Sequence, residues 1–179
     1  MRRSLLALLA LCLVALALPA RADPAAYRLG PGDALRVTVF GEDDLSGGFT
    51  VDGSGRVALP LVGEVRLGGL TLPEAEVAVT GLLADGYLRS PRVSIEVTNF
   101  RPFYILGEVR TPGSYPYAAG MTVMTAVALA GGFTYRADED DVEITAAARP
   151  GEPAPPPRRV GKDDVVLPGD VVRIGERFF

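Results

Sequence analysis

Four carboxylates in a row, Asp138-Glu139-Asp140-Asp141, and an adjacent pair, Asp43-Asp44, are the densest reactive groups in this chain. The run of four could hold Ca²⁺ in principle, but it lacks the spaced ligands and turn glycine of a cation loop, and a solvated loop between a helix and a strand is the stronger reading. A general acid and base must flank the bond they cleave, as the two carboxyl groups of a glycosidase do. Neighbouring residues on a Gly-flanked turn do not have that geometry, so Asp43 and Asp44 read as turn chemistry. The 179 residues contain no His and one Cys. A Ser-His-Asp triad, an imidazole-ligated zinc and a His acid/base are therefore excluded. Cys12 sits inside an apolar N-terminal run, away from any nucleophilic or ligating role. No catalytic residue, metal or cofactor is expected.

Aromatic side chains are the other candidates. Phe103, Tyr104, Tyr115 and Tyr117 could offer flat faces for stacking, although aromatics alternating in strands read first as half-buried core. Phe178 and Phe179 are apolar at a terminus that is usually polar; they dock on a neighbouring unit or are buried in their own strand.

These side chains must be carried by a turn-rich scaffold, since the chain has 21 Gly and 15 Pro and favours β structure over a helical bundle. Met1–Ala22 reads as a secretory signal peptide: Arg2 and Arg3, an uncharged run Leu5–Leu18, then Ala20-Arg21-Ala22 as an Ala-x-Ala site. The run is shorter than a membrane span. Lipidation at Cys12 is disfavoured by the bulky Leu11 before it. Cleavage after Ala22 removes three arginines and takes the net charge from −4 to −7, a poor balance for nucleic acid.

Leu35–Phe40, Val57–Leu61, Gly63–Leu67 and Val93–Val97 carry the alternation of strands. Thr71 with Glu74 can form a capping box, with Pro73 in the first turn, opening a helix that runs to about Leu83 and stops near Gly86. The second half follows with Phe103–Leu106, a strand through Tyr115–Tyr117, a short helix from an N-cap at Thr122 to Ala130, and strands at Val142–Ala146 and Val171–Ile174. Arg149–Pro157 is too rich in Pro for a sheet and reads as a protruding loop. The class is α+β, two small β-rich units.

The halves share pieces. Val62-Gly63-Glu64-Val65-Arg66 matches Leu106-Gly107-Glu108-Val109-Arg110, Gly69-Leu70-Thr71-Leu72 matches Gly120-Met121-Thr122-Val123, and Pro31-Gly32-Asp33 matches Pro168-Gly169-Asp170. In each Pro-Gly-Asp, Pro fixes the first corner of a turn and Gly the positive φ of the second, so a strand can begin at once.

These pieces, in this order, resemble the polysaccharide biosynthesis/export proteins of bacteria. Tyr27-Arg28-Leu29-Gly30-Pro31-Gly32-Asp33 and Val57–Gly63 look like the export domain, expected at residues 23–99. Arg101–Val109, Pro112–Tyr117 and Ala128–Thr134 look like a soluble-ligand-binding β-grasp domain, expected at 100–179. The resemblance implies export of capsule or exopolysaccharide from the periplasm, at the outer membrane, by a homo-oligomeric ring. It also implies an inner-membrane polysaccharide co-polymerase as partner and, with only one β-grasp unit here, a separate outer-membrane β-barrel. Phe103, Tyr104, Tyr115, Tyr117, Phe178 and Phe179 then become candidate polymer or subunit contacts. A periplasmic sugar-binding or sensing module is the alternative, and a hydrolase the weakest reading, because no acid/base pair can be placed.

Overall fold

The alternation that begins at Leu35 buries Leu35, Val37 and Val39 on one face of β1 (Ala34–Val39). A computed structural model describes residues 27–177; the expected leader, Cys12, Phe178 and Phe179 lie outside the described residues. β1 is the middle of a three-stranded antiparallel sheet, between β2 (Gly47–Thr50) and β5 (Val93–Asn99). A hairpin of β3 (Arg56–Leu59) and β4 (Gly63–Arg66) follows β2. Helix α1 (Leu72–Ala84) starts from the expected capping box: Glu74 N–H donates to the Thr71 hydroxyl, and Thr71 N–H to the Glu74 carboxylate at 2.8 Å. Its buried stripe is Ala75, Val79 and Leu83, four residues apart on one face. Glu76 on the same helix accepts the Ile95 N–H at 2.9 Å, covering part of the open edge of β5.

The second half is a five-stranded sheet in the order β7-β6-β10-β8-β9. Its strands are β6 (Phe103–Gly107), β7 (Gly113–Tyr115), β8 (Ala137–Thr145), β9 (Arg158–Val160) and β10 (Val171–Glu176). β6 and β10 pair in parallel, and all other neighbours are antiparallel. Helix α2 (Val123–Leu129), with Thr122 as N-cap, sets Val123, Ala126 and Val127 against Phe103, Ile105, Ile144 and Val172. Gly131 and Gly132, both at positive φ, end it. The molecule is α+β, with one buried cluster running from Leu29 to Ile95 and another from Phe103 to Ile174. Among the described residues, no helix is long and apolar enough to cross a membrane.

Three expectations change. Asp138–Asp141 is not a loop: these residues form the first half of β8, where Asp141 pairs with Arg159 at 2.5 Å and Glu139 with Lys162 at 2.6 Å. Arg159 on β9 and Lys162 just beyond it offset two of the four charges of a run that in isolation reads as solvated loop. Tyr117 lies beyond the end of β7, which stops at Tyr115. The Arg149–Pro157 loop is exposed, yet it does not simply protrude, because its first turn rests on the N-terminal unit. Pro150 lies so close to Gly55 and Gly68 that a Cβ on either would come within 3.0 Å of the Pro150 ring, and the Arg66 guanidinium donates to the Pro150 carbonyl at 2.9 Å.

Candidate functional site at the junction of the two units

Burying an ionised carboxylate is costly unless donors surround it. Among the described residues only Asp33 and Asp170 are buried charged side chains, and each closes one of the two Pro-Gly-Asp turns. In the first turn Asp33 N–H donates to the Gly30 carbonyl at 3.1 Å while Gly30 N–H donates to Asp33 Oδ2 at 2.7 Å. The second repeats this, with Asp170 N–H to the Leu167 carbonyl at 3.1 Å and Leu167 N–H to Asp170 Oδ2 at 2.9 Å. Gly32 and Gly169 hold φ of 92° and 85°, the second corner of type II turns. The other carboxylate oxygen also plays the same part in both. Asp33 Oδ1 accepts Arg101 N–H at 3.0 Å just past the end of β5, and Asp170 Oδ1 accepts Ala147 N–H at 3.3 Å just past the end of β8.

Arg101 joins the two turns. Its guanidinium donates to Asp33 Oδ2 at 2.6 Å and to the Arg28 carbonyl at 3.4 Å. It lies so near both turns that a Cβ on Gly30 would come 2.6 Å from its Nη1, and one on Gly169 2.6 Å from its Nε. Tyr27 completes the network, donating from its hydroxyl to Asp33 Oδ2 at 2.5 Å with the Arg101 guanidinium over its ring. Aromatic contacts reinforce the junction: the Phe100 ring meets Tyr27 and Tyr117 edge-on, each at 5.2 Å, so one ring from each core grips the linker.

Burial shifts the Tyr27 and Asp170 side chains from their ordinary ranges. Burial, then the hydrogen bond to Asp33 and its charge, push the Tyr27 phenol far above its ordinary 10. Burial also raises the Asp170 carboxyl, against the N–H donors of Leu167 and Ala147 and the charges of Arg158 and Arg101.

A cleft of about 290 Å³ opens over this network. Tyr27–Gly30, Gly69 and Arg101 form one wall, and Ala146–Pro150 with Leu167, Pro168 and Asp170 the other. Since both buried carboxylates are engaged by backbone N–H groups, they anchor turns rather than face each other across a substrate.

The sequence-derived candidates fall elsewhere. Phe103 is fully buried in the core and stacks on Tyr115 at 5.9 Å. Tyr115 is half-buried and donates its hydroxyl to the Thr111 carbonyl at 2.6 Å. Tyr117 packs on the core beside Phe100, and burial raises its phenol too. Tyr104, 45% exposed on the opposite face of β6 from Phe103, is the one that stands open. The structure thus brings Phe103 and Tyr115 together and leaves Tyr104 apart. Reading the sequence for turns missed Asp33 and Asp170 as buried anchors and Arg101 as their link. The signal was there in the Asp that ends both Pro-Gly repeats.

Residues 21–98 match the family model described as polysaccharide biosynthesis/export protein, and residues 102–156 match the SLBB domain. The exopolysaccharide production protein ExoF of Rhizobium meliloti (strain 1021) is 42% identical over 145 residues, 74% of this chain and 34% of that protein. The polysialic acid transport protein KpsD of Escherichia coli is 30% identical over 108 residues, 59% of this chain and 19% of KpsD. The EPS I polysaccharide export outer membrane protein EpsA of Ralstonia nicotianae (strain ATCC BAA-1114 / GMI1000) is 25% identical over 189 residues, 88% of this chain and 49% of EpsA. The chain thus spans from about a fifth to about half the length of these relatives.

Proposed function

Because this chain belongs to the polysaccharide biosynthesis/export family, we propose that it is a non-catalytic component of a capsule or exopolysaccharide export conduit. The observation that carries this is the succession of the two family matches along one chain, joined by a built junction at Arg101. The chemistry of the site agrees. A polymer in transit needs a wet surface of weak contacts, since tight sites stall conduction, and the cleft combines small residues, Gly30, Gly69 and Ala146–Ala148, with the polar side chains of Arg28, Arg101, Arg149 and Asp170.

The finer reading places the protein in the periplasm in association with the outer membrane, in a closed homo-oligomeric ring that generates a passage from one small chain. It works there with an inner-membrane polysaccharide co-polymerase and an outer-membrane β-barrel. Deletion of the gene tests the export role: loss of surface polysaccharide, restored by the intact gene, is expected, and unchanged surface polymer overturns it. Light scattering on residues 23–179, with and without outer-membrane extract, tests the ring. A discrete high-order assembly is expected; a monomer in both conditions overturns the ring and favours the sugar-sensing alternative.

A further inference from the structure

The junction cleft continues beneath the Pro-rich loop. Ala146, Ala147 and Arg149 line both the cleft and an adjoining recess of about 330 Å³, closed on its far side by Glu152, Pro153 and Pro155. The result is a groove with a rigid floor at Arg101 and a rim at Arg149.

Three guanidinium groups face this groove, and they differ in what already engages them. Arg28 donates to the Gly69 carbonyl and to Glu74, and Arg101 to Asp33. Among the described residues the ionic partner of Arg149 is Glu152 at 3.9 Å, with both side chains about 60% exposed. Exposed pairs at that separation hold neither partner firmly.

The backbone of Arg149 is nevertheless fixed. Glu152 N–H donates to the Arg149 carbonyl at 2.9 Å across a third Pro-Gly turn, in which Gly151 has φ of 85°. Pro150 of that turn is seated on Gly55 and Gly68 and tied to Arg66. A guanidinium on a held backbone, with its planar donor fork uncommitted, suits bidentate recognition of a carboxylate. The groove walls beside it are small side chains and prolines, which let a sugar ring approach closely.

We propose that this groove binds an acidic saccharide, with Arg149 receiving the carboxylate of a uronate-type sugar. The proposal rests on the export reading and names the polymer class for it. In a chain of net charge −4, a rim arginine at the groove makes a local contact for a polymer that the rest of the surface repels.

Calorimetric titration of the full chain with oligogalacturonate, and with maltoheptaose as the neutral control, tests this. Binding of the acidic oligomer alone is expected, weakened about tenfold in Arg149→Gln and partly kept in Arg149→Lys, with all three proteins melting alike. Absent binding, equal binding of maltoheptaose, equal competition by inorganic phosphate, or an unaffected R149Q overturns the proposal. Complementation of the deletion strain separates the two readings. Restored export with a flat titration removes only the acidic-groove inference, whereas failure of the intact gene to restore surface polymer removes the export reading itself.

Discussion

The Arg101 guanidinium and the Asp33 carboxylate meet at 2.6 Å across the boundary between two separate cores, with Asp33 fully buried and the Arg101 side chain 16% exposed. Removing the guanidinium takes away the cation facing the buried Asp33, a loss of about 3–5 kcal/mol for buried pairs, offset in part by the Gly30 N–H, the residue-101 N–H and the Tyr27 hydroxyl that still donate to it. Arg101→Ala is expected to lose most of that in urea denaturation and to split one unfolding transition into two. A single transition at the wild-type midpoint would show that the cores are held together by other contacts.

Gly107 ends β6 at φ of 89°, and a Cβ there would run into the Ile174 carbonyl of β10. Backbone strain alone costs about 1–3 kcal/mol, and the collision adds to it by forcing apart the only parallel strand pair among the described residues. Gly107→Ala is expected to melt well below the wild type, whereas Gly63→Ala, at φ of 73° with open space around it, bears the strain alone. Equal melting temperatures for the two variants would contradict this account.

Tyr27 has a phenol raised far above 10 by burial and by Asp33. Its protonated form is favoured in the fold, so its contribution to stability is complete below pH 10 and is lost as pH climbs through the raised value. A spectrophotometric titration is expected to leave the Tyr27 phenol un-ionised until the chain unfolds, with Tyr117 ionising later than an exposed tyrosine. In Tyr27→Phe that resistant fraction disappears; its persistence would place the protected phenol elsewhere.

Asp170 predicts behaviour at acid pH. Burial raises its carboxyl above 3.8, so the folded protein holds this proton more tightly than the unfolded chain. The stabilisation is full below 3.8 and fades as pH rises through the raised value. Asp52 and Glu74, depressed chiefly by backbone hydrogen bonds from Arg56 and Thr71, act in the opposite sense and lose their contribution as pH falls. Those two are common to wild type and Asp170→Asn, so the difference between the proteins isolates Asp170. The variant is expected to gain on the wild type as pH increases from 3.8, and parallel stability curves would refute the assignment.

What could be read from the sequence was local. Alternation over Leu35–Val39, the Thr71/Glu74 capping box and the twin Pro-Gly-Asp turns each state their structure within a few residues, and each appears where expected. β2 did not announce itself because Gly47-Gly48 looks like a turn; it is a strand because Arg36 and Val37 of β1 pair with it. β9, within Arg158-Arg159-Val160, exists because β8 offers Glu143 and Ile144 as partners. The site was less legible still. Arg101 follows no pattern, and its partner Asp33 lies 68 residues away, so nothing near it in the chain betrays the contact.

The parallel pairing of β6 with β10 also sets an order of events. In the second sheet the middle position belongs to the strand made last: Tyr104 has to wait for Val171, and until then the β6–β7 and β8–β9 ribbons share no edge. Loop closure over that distance is slow compared with hairpin formation. During synthesis the first unit can collapse on its own core while the second stays open, with its apolar strand faces uncovered. Since the second Pro-Gly-Asp turn immediately precedes β10, the slot around Arg101 is completed in the same late step. A ribosome stalled before Val171 would therefore carry a folded first half and an aggregation-prone second.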